Sequence, residues 1–303
     1  MNTIKNHRLE VCFRFDPNKV FSERFESIGV MDKITLDGKY NFCEPEQYIT
    51  DRVTCYGVGL CGEYVWDELA KEAAPGEKFP KLGVGLLTQR PEGGAYDMWK
   101  HYEVEPFPIH AQFGEDHAIF VQEPRSCLGV AARITKKVWL EENIIHTCTT
   151  VENKGERPLK LGEYQHNFVS LNGLPAGPGY HLSVPFDGTL PNIAHAAFRQ
   201  GDFTRRLSGF MQVSDGTIHW IRDMDGYSYH KITERKDLHM ENGTHWKLTH
   251  DDVPLSVEEH ISFVPERLVM WGIEHCICVE VYVPISVQPG EAQSWERTWV
   301  FQD

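Results

Sequence analysis

Two residues of this sequence join a titratable side chain to a setting that calls for a chemical explanation. His166 stands among aromatics in Gly162-Glu163-Tyr164-Gln165-His166-Asn167-Phe168, where a strand-like run gives way to a loop carrying Asn172 and Gly173. An imidazole with its ordinary pKa of about 6.5 can give or take a proton near neutrality, and a strand end fixes its direction. Glu280 interrupts the most apolar run of the chain, where a carboxylate needs hydrogen bonds or a ligand to offset its desolvation. One group able to give a proton and one able to take it are the minimum for general acid–base catalysis. Each also has a plainer reading: a histidine satisfied within a core, and a carboxylate on a solvated face. Cys276, Cys278 and Tyr282, which share Glu280's side of the run, are unusual company for a solvated face.

The elements that must position these groups are strands. Ile277, Val279, Val281, Val283, Ile285 and Val287 are apolar at every second position, which predicts a strand with Cys276, Cys278, Glu280, Tyr282 and Ser286 on its other face. Gln288-Pro289-Gly290-Glu291 predicts a turn into a last strand bearing Trp295, Arg297, Trp299 and Phe301. Alternation from Leu128 to Leu140, a turn at Glu141-Glu142-Asn143 and a return from Ile144 to Val151 predict a hairpin, continued as a meander by a strand from Leu159. Tyr64 to Ala74 alone has helix-forming composition, enough for about three turns. The expected fold class is therefore all-β, a large antiparallel sandwich with one or two short helices, forming a single domain over residues 1–303.

Composition narrows the partners. With 44 acidic against 30 basic residues and a formal charge of −14, most of the surface repels nucleic acid and anionic membranes. The opening residues lack an apolar leader and no run has the length of a membrane span, so the expected location is cytoplasmic, as a monomer or homodimer. The eight cysteines are scattered and read as thiols. Gly57, Gly59 and Gly62 match the G-x-G-x-x-G pattern of dinucleotide sites, but no downstream βαβ alternation supports a parallel sheet, which leaves glycines in a tight loop. Fifteen histidines include no H-x-H or H-E-x-x-H spacing, and no metal or other cofactor is expected.

The segment from Gln165 to Gly173 resembles the N-H-x-Y-F-N-L-x-G motif of galactose mutarotase-like (aldose 1-epimerase) proteins. Cys278-Val279-Glu280 followed by Val287-Gln288-Pro289-Gly290-Glu291 resembles their C-V-E and L-x-P-G-E pattern, and Val151 to Leu159 their V-x-N-x-G-x-x-P-L turn. Lys100-His101-Tyr102-Glu103-Val104 falls where they carry P-x-H-G-F-A-R, without its Gly and Arg, so His110 competes with His101 for the second site histidine. The resemblance implies a sandwich of the mutarotase type that interconverts the α and β anomers of a free sugar, with His166 as general acid and Glu280 as general base. A protonated His166 and an ionised Glu280 facing each other across the sugar are then expected to raise and lower each other's pKa respectively.

Tyr164, Phe168, Trp99 and Tyr180 are candidate platforms for sugar C–H faces, and His101, His110 and His181 candidate donors to hydroxyls. The family's substrate-gripping arginine has no evident counterpart, which leaves Arg90 and Lys100 as the available cations. Alternatives on the same fold are a carbohydrate-binding protein without catalysis, and an isomerase or lyase of a sugar acid or phosphate, for which Arg199, Arg205 and Arg206 offer an anion-binding cluster.

Overall fold

The computed structural model describes residues 2–48, 55–184, 194–195, 211–214, 217–224, 226, 228–234 and 245–303. These form two ten-stranded antiparallel sheets and a small three-stranded one. The first large sheet has Leu60–Val65, Leu159–Asn167, Cys276–Val287 and Arg267–Ile273 side by side at its centre. The second runs from Met211–Ser214 at one edge to Ile109–Phe113 at the other, with Ala292–Gln302 between Val253–Ile261 and Ile144–Asn153.

The alternating valines and isoleucines of Cys276–Val287 face the second sheet and share one buried core with Trp246, Trp295, Trp299 and Phe301. The predicted hairpin forms, as Ala132–Glu141 and Ile144–Asn153. Lys136, the one charged residue on its apolar face, is buried there against the Glu26 carboxylate.

Two expectations change. The strand after the hairpin does not extend a meander: Leu159–Asn167 crosses to the first sheet and pairs with Leu60–Val65 and Cys276–Val287. In a sandwich a polar turn serves a crossover as well as a hairpin, and alternation cannot tell which sheet receives the strand. The three-turn helix is instead a strand end and a six-residue 3-10 helix, Asp67–Glu72. Tyr64 is 1% exposed and stays in the sheet, where burying its ring outweighs the helical propensity of the residues that follow. No helix among the described residues is long and apolar enough to cross a membrane.

An ionic network lies between the sheets. Arg297 of the second sheet reaches Glu163 at 2.9 Å and Glu259 at 2.8 Å, while Glu259 also accepts from Trp246 Nε1 at 2.6 Å and Asn167 Nδ2 at 3.1 Å. Glu163 and Asn167 therefore point inward, and their neighbours Tyr164 and His166 point to the opposite face of the first sheet.

Candidate functional site

The antiparallel ladder pairs Tyr164 with Tyr282 and Gln165 with Val281, so His166 and Glu280 follow one step further on and lie with Tyr164 and Tyr282 on that opposite face. Their side chains meet directly, with Nε2 of His166 3.1 Å from Oε1 of Glu280. The other Glu280 oxygen accepts from the Tyr282 hydroxyl at 2.9 Å. Four rings surround the imidazole: Phe168 stacks on it with centroids 3.8 Å apart, and Phe25, Trp271 and Tyr164 approach at 5.6, 5.4 and 5.9 Å. The remaining His166 nitrogen, Nδ1, is buried and has no hydrogen-bond partner.

His166 and Glu280 are 1% and 3% exposed, and the side chains of Phe25 and Arg24 reach over this face from a segment whose Glu26 is hydrogen-bonded to Gly62 of the Leu60–Val65 strand. Arg24 on this segment donates to Glu63 at 2.7 Å and to the Tyr164 hydroxyl at 2.7 Å. Lys81 holds the other Glu63 oxygen at 2.9 Å. Burial alone would raise the Glu63 pKa, but Lys81 and Arg24 outweigh it and hold the carboxyl down at about 2. Further along the face, the Arg267 guanidinium lies 3.8 Å from the centre of the Tyr282 ring.

The expected protonation pattern is reversed. Burial, reinforced by Arg24, holds His166 well below the ordinary imidazole value. Burial raises Glu280 to about 7, against the opposing pull of Arg24 and the Tyr282 hydrogen bond. The resemblance suggested two charges attracting each other across a sugar; the two groups instead touch while buried, where desolvation penalises both charged forms.

A stability prediction follows from the sign of the Glu280 shift. A carboxyl raised from the ordinary 4.5 to about 7 binds its proton more tightly in the fold, so its contribution is present below pH 4.5 and lost as pH rises towards 7. Glu280→Gln removes that loss, and the variant is expected to exceed the wild type in stability at pH 8, by on the order of 1–3 kcal/mol, with the advantage fading by pH 5. Urea unfolding at the two pH values measures it; equal stabilities at pH 8 would contradict the shift.

The other expected site residues are distributed as follows. Tyr164 stands beside His166, but its hydroxyl is engaged by Arg24 and Glu63. Tyr180 is fully buried in the core between the sheets, donating to the Leu174 carbonyl, and is no sugar platform. His181, on the second sheet, bonds His219 at 2.7 Å and Asp251 at 2.9 Å. His110 is exposed on that sheet's edge strand, Ile109–Phe113. His101 is exposed and pairs with Glu23 at 2.7 Å, and Arg90 binds Glu92 and the His101 carbonyl. Arg199, Arg205 and Arg206 lie outside the described residues.

Arg24 is thus the cation that acts on both members of the pair, in place of Arg90 or Lys100. It sits in a segment with neither alternation nor a motif to single it out. Glu63 carried the same signal as Glu280, a lone carboxylate in an apolar strand, but was obscured by the helical composition that starts at Tyr64.

The glycines of the G-x-G-x-x-G match serve close packing. A Cβ on Gly57 would lie 2.4 Å from the Phe168 ring and 2.8 Å from the Phe25 ring, the two rings that flank His166. Gly57→Ala is expected to lower stability by about 1–3 kcal/mol and to shift the His166 ring resonances, through overpacking. Thermal unfolding and NMR check this, and unchanged resonances would contradict it.

No family model matches the sequence and no curated protein matches it. Solved structures do resemble it. A galactose mutarotase-like protein from Lactobacillus casei aligns over 99% of both chains with a TM-score of 0.57 at 13% identity. A galactose mutarotase related enzyme from Lactobacillus acidophilus aligns over 99% of this chain and 97% of its own, with a TM-score of 0.57 at 10% identity. An aldose epimerase homologue from C. elegans aligns over 99% and 98%, with a TM-score of 0.51 at 12% identity. Such identities speak to architecture alone, and on that ground the chain has the galactose mutarotase-like fold.

Proposed function

We propose that this protein interconverts the α and β anomers of a free sugar by acid–base ring opening, with His166 and Glu280 as the working pair. The observation that carries this reading is their contact at 3.1 Å, one group raised to about 7 and the other held neutral. Ring opening takes a proton from the anomeric hydroxyl and gives one to the ring oxygen. Both oxygens are bonded to the same carbon, so adjacent acid and base groups suit them. A pair holding one proton between its members near neutrality has one group to give and one to take. Burial places that proton on Glu280, which makes Glu280 the donor and neutral His166 the acceptor, the reverse of the roles the resemblance implied. The aldehyde then turns about its bond to C2, and reclosure returns both protons.

Sugar reaches the pair when the side chains of Arg24 and Phe25 swing away from it. Arg24, released from Tyr164, then becomes a donor to sugar hydroxyls. The reading treats residues 1–303 as one domain and requires no metal or redox cofactor for the chemistry. Its test is NMR exchange between anomers for a panel of neutral, acidic and phosphorylated sugars. Acceleration of at least one reducing sugar is expected, with none for its methyl glycoside, whose blocked O1 has no proton to give. No acceleration of any sugar would overturn the reading.

A further inference from the structure

On the outer face of the second sheet, away from His166, three ligand-type side chains converge. His245 and His260 sit directly opposite each other on the antiparallel strands His245–His250 and Val253–Ile261, and Glu258 shares their face two residues before His260. Nε2 of His260 lies 2.9 Å from Glu258 Oε1, and Nε2 of His245 lies 3.8 Å from the same oxygen. The two rings are stacked with centroids 5.2 Å apart and planes inclined by 23°, so a shared ion requires each ring to turn about its bond to Cβ until both planes meet at one point. One ligand atom from each of the three residues lies within 4.8 Å of the others.

Atoms bound about 2.0–2.2 Å from a tetrahedral zinc ion stand roughly 3.3–3.5 Å from one another. The 2.9 and 3.8 Å separations bracket that spacing, and rotation of the two rings about their Cβ bonds brings both nitrogens and the shared oxygen onto one ion. Among the described residues, Lys247 Nζ approaches the other Glu258 oxygen, Oε2, at 3.7 Å rather than the shared one. A chain with a net charge of −14 also favours a dication at its surface. We propose that His245 Nε2, His260 Nε2 and Glu258 Oε1 bind one zinc ion, leaving a fourth position to water. The ion ties the Nε2 atoms of two neighbouring strands together on the side away from the core.

Calorimetric titration of the full chain, first stripped with a chelator, with zinc chloride alone tests this. One equivalent per chain is expected, with affinity weakened at least about tenfold in His245→Ala and in His260→Ala. Lys247→Ala keeps every ligand and removes the competing ammonium, and is expected to bind more tightly. Because these side chains are exposed or half-exposed, the metal-free variants should unfold at the wild-type temperature, while the zinc-induced rise in unfolding temperature is lost from the histidine variants. Absence of saturable zinc binding would overturn the proposal, as would equal binding by the wild type and the His245→Ala/His260→Ala double variant, since the ion would then sit elsewhere.

Discussion

Replacing His166 by Ala is expected to slow anomer exchange by about 100- to 10,000-fold, and Glu280→Gln to do the same, because a positioned acid or base contributes on that order. The two losses have different causes. His166→Ala removes a proton acceptor and also leaves a gap among Phe25, Phe168 and Trp271. Glu280→Gln keeps the size of the side chain and removes only its ability to release a proton, so it isolates the chemistry from the packing. NMR magnetisation transfer on the best sugar of the panel gives both rates. A Glu280→Gln variant as fast as the wild type would remove Glu280 from the mechanism.

The second large effect concerns the fold. Arg297 is 2% exposed and pairs with two carboxylates, Glu163 and Glu259, themselves 3% and 0% exposed. Removing one member of a buried ionic group leaves uncompensated charge in a low dielectric, so Arg297→Ala is expected to lose about 3–5 kcal/mol of stability. Arg297→Lys keeps the charge but not the fork that reaches both acids, and should lose less. Urea denaturation at neutral pH distinguishes them, and a loss below about 1 kcal/mol for Arg297→Ala would show that the network is hydrated rather than dry.

The network also explains what the sequence could and could not reveal. Strand alternation correctly separated Glu280 from the valines of its strand, because a period of two is a local property. The same rule placed Arg297 with Trp295 and Trp299 without showing that Glu163, in the other sheet, is its partner. Ion pairing across a sandwich depends on which strands face one another, and that is set by crossovers whose turns read like hairpin turns. Arg24 was hidden for the same reason: it reaches Glu63 and Tyr164 from an irregular segment over a hundred positions before Tyr164. His245 and His260 share a face only through strand pairing, so ligand-spacing rules along the chain do not find them.

The motif resemblance led to His166 and Glu280, which the structure brings side by side. It did not lead to their protonation, because a motif carries residue types and not the desolvation imposed by Phe25, Phe168 and Trp271. The secondary candidates fared differently for a similar reason. Tyr180 and His181 follow the Gln165–Gly173 segment closely in sequence, yet the strand Tyr180–Ser183 belongs to the second sheet, where Tyr180 faces the core.

The central claim is that His166 and Glu280 act as one acid–base unit on the anomeric carbon. Anomer exchange measured side by side for the wild type, the two single variants and the His166→Ala/Glu280→Gln double variant tests it most directly. The account predicts a double variant no slower than the slower single variant, since either loss already disables the unit. Losses that multiply in the double variant, or a wild-type rate equal to that in buffer, would contradict it.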